Sequence, residues 1–322
     1  IRSKQLPDGT WNIYFEGPSD ISATVEAYVA LRLAGDPTDA EHMEKAARRV
    51  REMGGLESSR VFTRFWLALF GEWSWDDLPA LPPEVILLPS WFPPNIYDFG
   101  CWARQTIVPL TVVAAHRPSR PLGFTLQELR AGKRRTLRKP LSTWAGRFQV
   151  LDRMLHAYEK WPVGPLRRRS LRLAAEWIIR RQEADGCWGG IQPPWVYSLM
   201  ALHLLGYPMD HPVMKKGIEG LETFAITANG LRRFEACQSP VWDTCLASMA
   251  LGEAGVPEDH PALLRAADWM LDEEVRVKGD WAVRRPDLAP GGWAFEYEND
   301  NYPDLDDTAV VVMALRGLRH PD

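Results

Sequence analysis

The chain has 322 residues, 46% hydrophobic and 25% charged, a balance that suits a well-cored globular protein and excludes a disordered one. A net charge of -4 at pH 7 supplies no basic field, so nucleic acid is not an expected partner. Cys101, Cys187, Cys237 and Cys245 are widely spaced, which indicates neither a zinc ribbon nor a disulfide framework and favours a reducing compartment.

The N-terminal "IRSKQLPDGTW" lacks the apolar core of a signal peptide and an initiator Met, and no apolar run in the chain reaches spanning length. It opens inside a repeat, so the chain is expected to be part of a longer one. In that repeat, "QLPDGTWNIYFEG" (5–17) leads into an apolar helical pattern over 22–35. Residues 72–97 are less regular: "PPEVILLPSWFPPNIY" (82–97) is apolar but broken by Pro, the pattern of a buried or membrane-facing loop. The basic "RAGKRRTLRKPLSTW" (130–144) reads as a solvated connection ahead of a lipid-headgroup contact. The amphipathic "SLRLAAEWIIRRQ" then precedes "RRQEADGCWGGIQPPW" (180–195), which leads into a helix over 196–207. "NGLRRFEACQSPVW" (229–242) precedes a helix over 243–256, with Leu-Arg where the repeat wants Gly-Trp. The amphipathic "HPALLRAADWMLDEEV" follows. A long turn at 279–303 without the Gln then leads into a helix over 304–318.

Such helix pairs predict an all-α fold that closes into a ring or stacks as an open solenoid. In "DGTW" and "DGCW" the Gly takes the left-handed conformation beyond a helix end, Trp covers that end, and Gln5 or Gln182 reaches its free backbone groups. These are structural staples, and they absorb much of a Trp count of 15 that exceeds Phe at 11 and Tyr at 8.

"NYPDLDDTAVVV" (301–312) sets Asp304, Asp306 and Asp307 immediately before an apolar helix. As an ordinary helix start, Asp304 caps and the other two complement the dipole. As a DxDxT phosphotransfer motif, it would have to follow a buried parallel strand, and no β-α alternation exists. As a metal site, it lacks DDxxD spacing, and no His pair sits at helical spacing. As a Brønsted acid, crowded carboxylates cannot all ionise, so one proton is retained near neutral pH. A proton given to an apolar substrate makes a carbocation, which aromatic faces stabilise by about 0.5–2 kcal/mol each.

Several motifs converge on one family: "SSRVFTRFWLAL" (58–69), "NIYDFGCWAR" (95–104), "GGIQPPWVY" (189–197), "SPVWDT" (239–244), "GDWAVRRPDLAPGGWAFEYEN" (279–299) and the DxDD cluster. With them the chain resembles, end to end, the squalene–hopene cyclases, bacterial class II triterpene cyclases. The resemblance implies a monotopic enzyme on the cytoplasmic side of the bacterial membrane, built from two α/α barrels. Residues 1–245 would form one barrel, and 246–322 the opening helices of the second, acid-bearing one. It implies cyclisation of squalene, or a related linear polyene, to hopene and hopanol without metal or organic cofactor. A homodimer is a further expected state. Asp306 matches the proton donor, with Asp304 and Asp307 as acidic partners. Trp102, Trp242 and Phe295 match the aromatic cavity wall. Ile191, Gln192 and Pro193 match the far end, where Gln192 would help hold the quenching water. Glu26, Arg60, Phe62, Trp66, Tyr197 and Asp243 fall on further cavity or support positions, a structural role being equally open for Trp66 and Asp243.

The family continues for about as long again beyond Asp322, including a His that hydrogen-bonds the acid, so this chain alone is expected not to turn over. The alternatives are an inactive lipid-facing scaffold, a DxDD diterpene-type cyclase, and an α/α-barrel glycosidase with Trp platforms.

Overall fold

A computed structural model describes residues 1–93, 95–132, 139–297 and 299–321, so most of the basic stretch within 130–144 lies outside the described residues. Helices dominate, and two compact units divide the chain: Ile1–Ala80 with Arg117–Trp161, and Leu81–His116 with Pro162–Asp322.

The first unit holds α1 (Ile21–Leu33), α2 (Glu41–Glu52), α3 (Val61–Leu69) and α5 (Trp144–Lys160). Asp20 caps α1 by accepting from the Ala23 amide, a polar start that frees the apolar residues behind it for the core. Val25, Tyr28, Met43, Val50, Leu56, Leu67, Leu126 and Leu129 form that core. At the 5–11 turn, Gln5 Nε2 donates to the carbonyls of Gly9 (3.0 Å) and His42 (2.8 Å), tying the turn to the start of α2. Trp11 Nε1 donates to the Ile1 carbonyl at 3.0 Å.

The second unit holds α4 (Cys101–His116), α6 (Gly164–Ile179), α7 (Gln192–Leu204), α8 (Pro212–Leu221), α9 (Pro240–Glu253), α10 (Pro261–Asp272) and α11 (Leu305–Arg316). α4 packs on α6 and α7, and α9 on α11. Its first staple repeats the other: Gln182 Nε2 donates to the carbonyls of Gly186 (3.1 Å) and Val213 (2.8 Å), and Trp188 Nε1 to that of Ile178 (2.8 Å). Trp293 Nε1 likewise donates to the Met270 carbonyl at 2.5 Å, without a Gln and across a longer loop.

Two sequence expectations change. Helices α7 and α9 begin several residues earlier than periodicity placed them, because Pro193, Pro194 and Pro240 sit in first turns that need no amide donor. The fold is also not purely helical: 229–234 is no weakened staple but half of a hairpin. β1 (Ala225–Ala228) pairs antiparallel with β2 (Leu231–Phe234), Ala225 opposite Phe234 and Ala228 opposite Leu231. Asn229 and Gly230, at φ +52° and +71°, supply the two positive dihedrals of a tight two-residue turn.

Candidate active site

The three carboxylates mark the start of α11, and the backbone around them is fixed from two sides. Asp304 is the N-cap: its Oδ1 accepts from the Asp307 amide at 2.8 Å. Its own amide donates to the Trp293 carbonyl at 3.0 Å, while Thr308 Oγ1 donates to the Asp304 carbonyl and accepts from the Trp293 amide. The acid turn is therefore sewn to the Trp that closes the third staple. Behind it, Val241, Cys245, Met270, Trp293, Val311 and Ala314 form a dry cluster.

Helical phase then separates the acids. Asp307 shares a face with Val311 and Ala314 and is 2% exposed, whereas Asp306 and Leu305 point outward. Burial raises the Asp307 carboxyl to about 7, helped by its hydrogen bond with Asp304 and by the charges of Asp304 and Asp306. Its Oδ1 makes no hydrogen bond. Asp307 is thus the carboxyl that burial holds back from ionising, and it lies one residue from the exposed Asp306 that the resemblance matches to the proton donor. Cys245 feels the same site: burial, then the Asp307 charge, pushes its thiol up to about 11.

In the same unit, Trp102 on α4 and Phe295 meet edge to face, their ring centroids 5.8 Å apart at 85°. Trp102 Nε1 donates to the Gly189 carbonyl at 3.0 Å, which fixes the indole against the Gln182–Trp188 turn. Ile191 caps α7 and forms a bridge with Cys237, Gln192 and Pro193 occupy its first turn half-buried, and Tyr197 is buried one turn further on. Trp242 is half-buried and Asp243 exposed in the first turn of α9, where Asp243 Oδ2 accepts from Ser239 Oγ at 2.9 Å.

The first unit carries the remaining four. Glu26 Oε1 accepts from Thr63 Oγ1 at 2.5 Å and lies 3.8 Å from the Arg60 guanidinium. Phe62 is exposed on α3, and Trp66 packs against Phe70 with centroids 6.0 Å apart.

Two buried polar groups were not singled out from sequence. Asp280 accepts from Arg104 (2.8 Å), Arg181 and Tyr302 (2.7 Å), while Arg104 also donates to the carbonyls of Ile96 and Phe99 at 3.0 Å. Burial works against the Asp280 charge, but its partners, Arg181 foremost, hold the carboxyl below its usual range. This knot joins the "NIYDFGCWAR" and "GDW" motifs. The other group is Glu183, Cys187 and Glu296, all buried, whose donor atoms lie within 4.8 Å of one another. Burial beside Glu183 and Glu296 pushes the Cys187 thiol far up, so in this group the thiol serves as a hydrogen-bond donor to Glu183. Adjacent Gln and Glu in the 182–183 turn were the only sequence hint of an acid there.

On the surface of the first unit, α5 exposes Trp144, Phe148, Leu151 and Met154 beside Arg147 and Arg153. Trp144 is 73% exposed, an unusual position for an indole in water. In the second unit Trp91 and Phe92 of the Pro-broken loop are exposed as well. Among the described residues, no helix is long and apolar enough to cross a membrane.

Comparison with known proteins gives a consistent outcome. The squalene-hopene cyclase N-terminal domain profile matches residues 1–230, and the C-terminal domain profile matches 238–322. A squalene–hopene cyclase of Alicyclobacillus acidocaldarius is 49% identical over 325 residues, which is 99% of this chain and 51% of that protein. A squalene–hopene cyclase of Bradyrhizobium diazoefficiens is 40% identical, with 99% and 50% covered. A dammaradiene synthase of Dryopteris crassirhizoma is 38% identical, with 100% and 48% covered. The chain therefore spans about half the length of the curated relatives it matches.

Proposed function

The chain belongs to the squalene–hopene cyclase family, and from that premise we propose that it is the acid-bearing part of a class II triterpene cyclase. The observation that carries the reading is the capped acid turn at α11, where Asp307 is buried, raised to about 7 and crowded by Asp304 and Asp306. In the reaction proposed, Asp306 donates a proton to a terminal alkene of squalene or a related linear polyene. Its conjugate base forms in the first turn of a helix, where the dipole and free amides favour negative charge. Asp307, held back from ionising by burial, opposes that loss less than an ordinary carboxylate would, and Asp304 holds the turn in shape.

The cation then moves along aromatic faces, with Trp102, Phe295 and Trp242 in that role, each stabilising positive charge by about 0.5–2 kcal/mol. Gln192, with Ile191 and Pro193 beside it, would hold the water that ends the sequence by capture or deprotonation. Glu26, Arg60, Phe62, Trp66, Tyr197 and Asp243 are assigned to the cavity or its support. We assign the helix pairs to α/α barrels, residues 1–245 to one and 246–322 to the opening of the other. The exposed apolar and basic side chains of α5 support monotopic attachment to the cytoplasmic face of a membrane, from which an apolar polyene would be drawn.

Incubating the full-length protein with detergent-dispersed squalene, and separating the lipids by gas chromatography with mass detection, tests the assignment. Pentacyclic product is expected, and Asp306→Asn should abolish it. Full activity in that variant overturns the role of Asp306.

A further inference from the structure

Glu183 and Glu296 are 5% and 6% exposed, and among the described residues neither is paired with a basic side chain. Glu183 has two donors: the Gly189 amide at 2.7 Å on Oε1 and the Cys187 thiol at 2.5 Å on Oε2. Glu296 has one, Asn299 Nδ2 at 2.8 Å on Oε1. Its other oxygen lies so close to Gly190 that a Cβ there would run into the carboxylate. Gln105 turns its buried carboxamide toward Glu183 without closing a hydrogen bond of normal geometry, and the Oδ1 of Asn299 is also without one. Two carboxylates in such a site cannot both be charged, because each loses its hydration and gains a like-charged neighbour.

We propose that Glu183 and Glu296 hold one proton as a pair, and that this neutralised pair is a positioning device for the aromatic corner made by Trp102 and Phe295. Glu296 follows Phe295 directly and lies in the 293–304 segment that enters the acid turn. Glu183 binds the Gly189 amide, and Gly189 in turn accepts from Trp102. The pair thus fastens the segment carrying one ring to the turn holding the other. The two donors on Glu183 favour it as the charged member and leave the proton on Glu296. Burial first, then the Glu183 charge, raises Glu296 to about 9, while burial raises Glu183 to about 7. The other titratable groups facing Glu296 are Asp185, Cys187 and Cys237, none of which supplies positive charge. What the corner does for a substrate rests on the function proposed above; the pair itself does not.

The sign of the pH dependence follows. A carboxyl whose folded-state value lies above its unfolded one stabilises the fold fully below the unfolded value, and that contribution is lost as pH rises through the folded value. Between about pH 5 and pH 9 the unfolding equilibrium constant should therefore rise up to tenfold per pH unit for each proton the folded state retains.

Three measurements on the full chain test this without any substrate. Infrared difference spectra should show a protonated-carboxyl carbonyl band at neutral pH that Glu296→Gln removes. Denaturation across the same pH range should give a shallower loss of stability in Glu296→Gln than in the native chain. Hydrogen exchange of 186–192 and 293–304 should be alike in the two proteins near pH 6, and faster in the native chain above about pH 9. If Glu296→Gln does not fold, Glu183→Gln should remove the partner charge and lower the pH at which the band disappears. Absence of the band with parallel pH profiles overturns the pair. So does a Zn2+-dependent rise in Tm that Cys187→Ser removes, which would give the cluster to a cation.

Discussion

The turns at 5–11 and 182–188 fasten in the same way, residue for residue. Gln5 and Gln182 each reach two carbonyls, one in their own turn and one at the start of the helix after next, α2 or α8. The Thr10 and Cys187 amides each donate to an Asp two residues back, at 3.1 and 2.9 Å. Trp11 and Trp188 each cap a carbonyl ten residues upstream. The differences fall between these fixed points: Leu6 against Glu183, and Asn12–Ile13 against Gly189–Gly190. The staple requires only Gln, Asp, Gly and Trp. The residue after the Gln and the pair after the Trp are free, and in the second turn they carry a buried carboxylate and the backbone that meets Glu296 and Trp102.

The largest expected effect strikes the shared part of this comparison. Gly186 is at φ +98°, and an added Cβ would lie 2.5 Å from the Lys216 carbonyl oxygen, a backbone atom that cannot swing aside. Gly9 is at φ +93°, and its added Cβ would meet the Lys45 Cγ at 2.8 Å and the Lys45 backbone no closer than 3.0 Å, a looser fit. Gly186→Ala should cost about 4 kcal/mol and Gly9→Ala about 2 kcal/mol, read by chemical denaturation. Equal costs would mean that left-handed strain alone, and not the close helix approach, sets the penalty.

Next come the glutamines. Replacing Gln5 or Gln182 with Leu strips the donor from two carbonyls in each case, a loss of about 2 kcal/mol at either turn. The two values should agree within about 0.5 kcal/mol if the fastenings are equivalent. A markedly larger loss for Gln182→Leu would show that the second staple also bears the strain of the acid pair.

How far the sequence reveals all this depends on what each feature needs from its neighbours. Gln, Gly and Trp at fixed spacing mark both staples in the sequence, as Asp304 marks a cap. But the carbonyl each Gln reaches outside its own turn, His42 or Val213, belongs to a later helix and not to the preceding helix end. The hairpin at 225–234 is hidden from the repeat pattern, which assigns 229–242 to a staple turn, although Asn229–Gly230 is a strong turn signal. Crowding of the acids is legible in the sequence, but crowding by itself does not distinguish Asp306 from Asp307. Helical spacing from Val311 and Ala314 already assigns Asp307 to the buried face. Glu183 and Glu296 are 113 residues apart in sequence. No local pattern brings them together; only the packing of a turn against a loop does.

The smallest effect tests whether that packing, and not the turn, creates the raised acid. Leu6→Glu writes the second turn's residue into the first, where Leu6 is only half-buried. The loss of apolar contact should cost about 1 kcal/mol. The turn around it already satisfies a carboxylate: Asp8 accepts from Thr10 and Ser19 and lies 3.4 Å from Arg49. With Arg49 near and no counterpart of Glu296 on that turn, the introduced carboxylate should stay ionised, and the cost should stay flat from about pH 6 to pH 9. A cost that climbs with pH in the variant would mean that the staple's own backbone raises any acid placed after its Gln. The proton would then belong to the turn, and Glu296 would be its neighbour without being its partner.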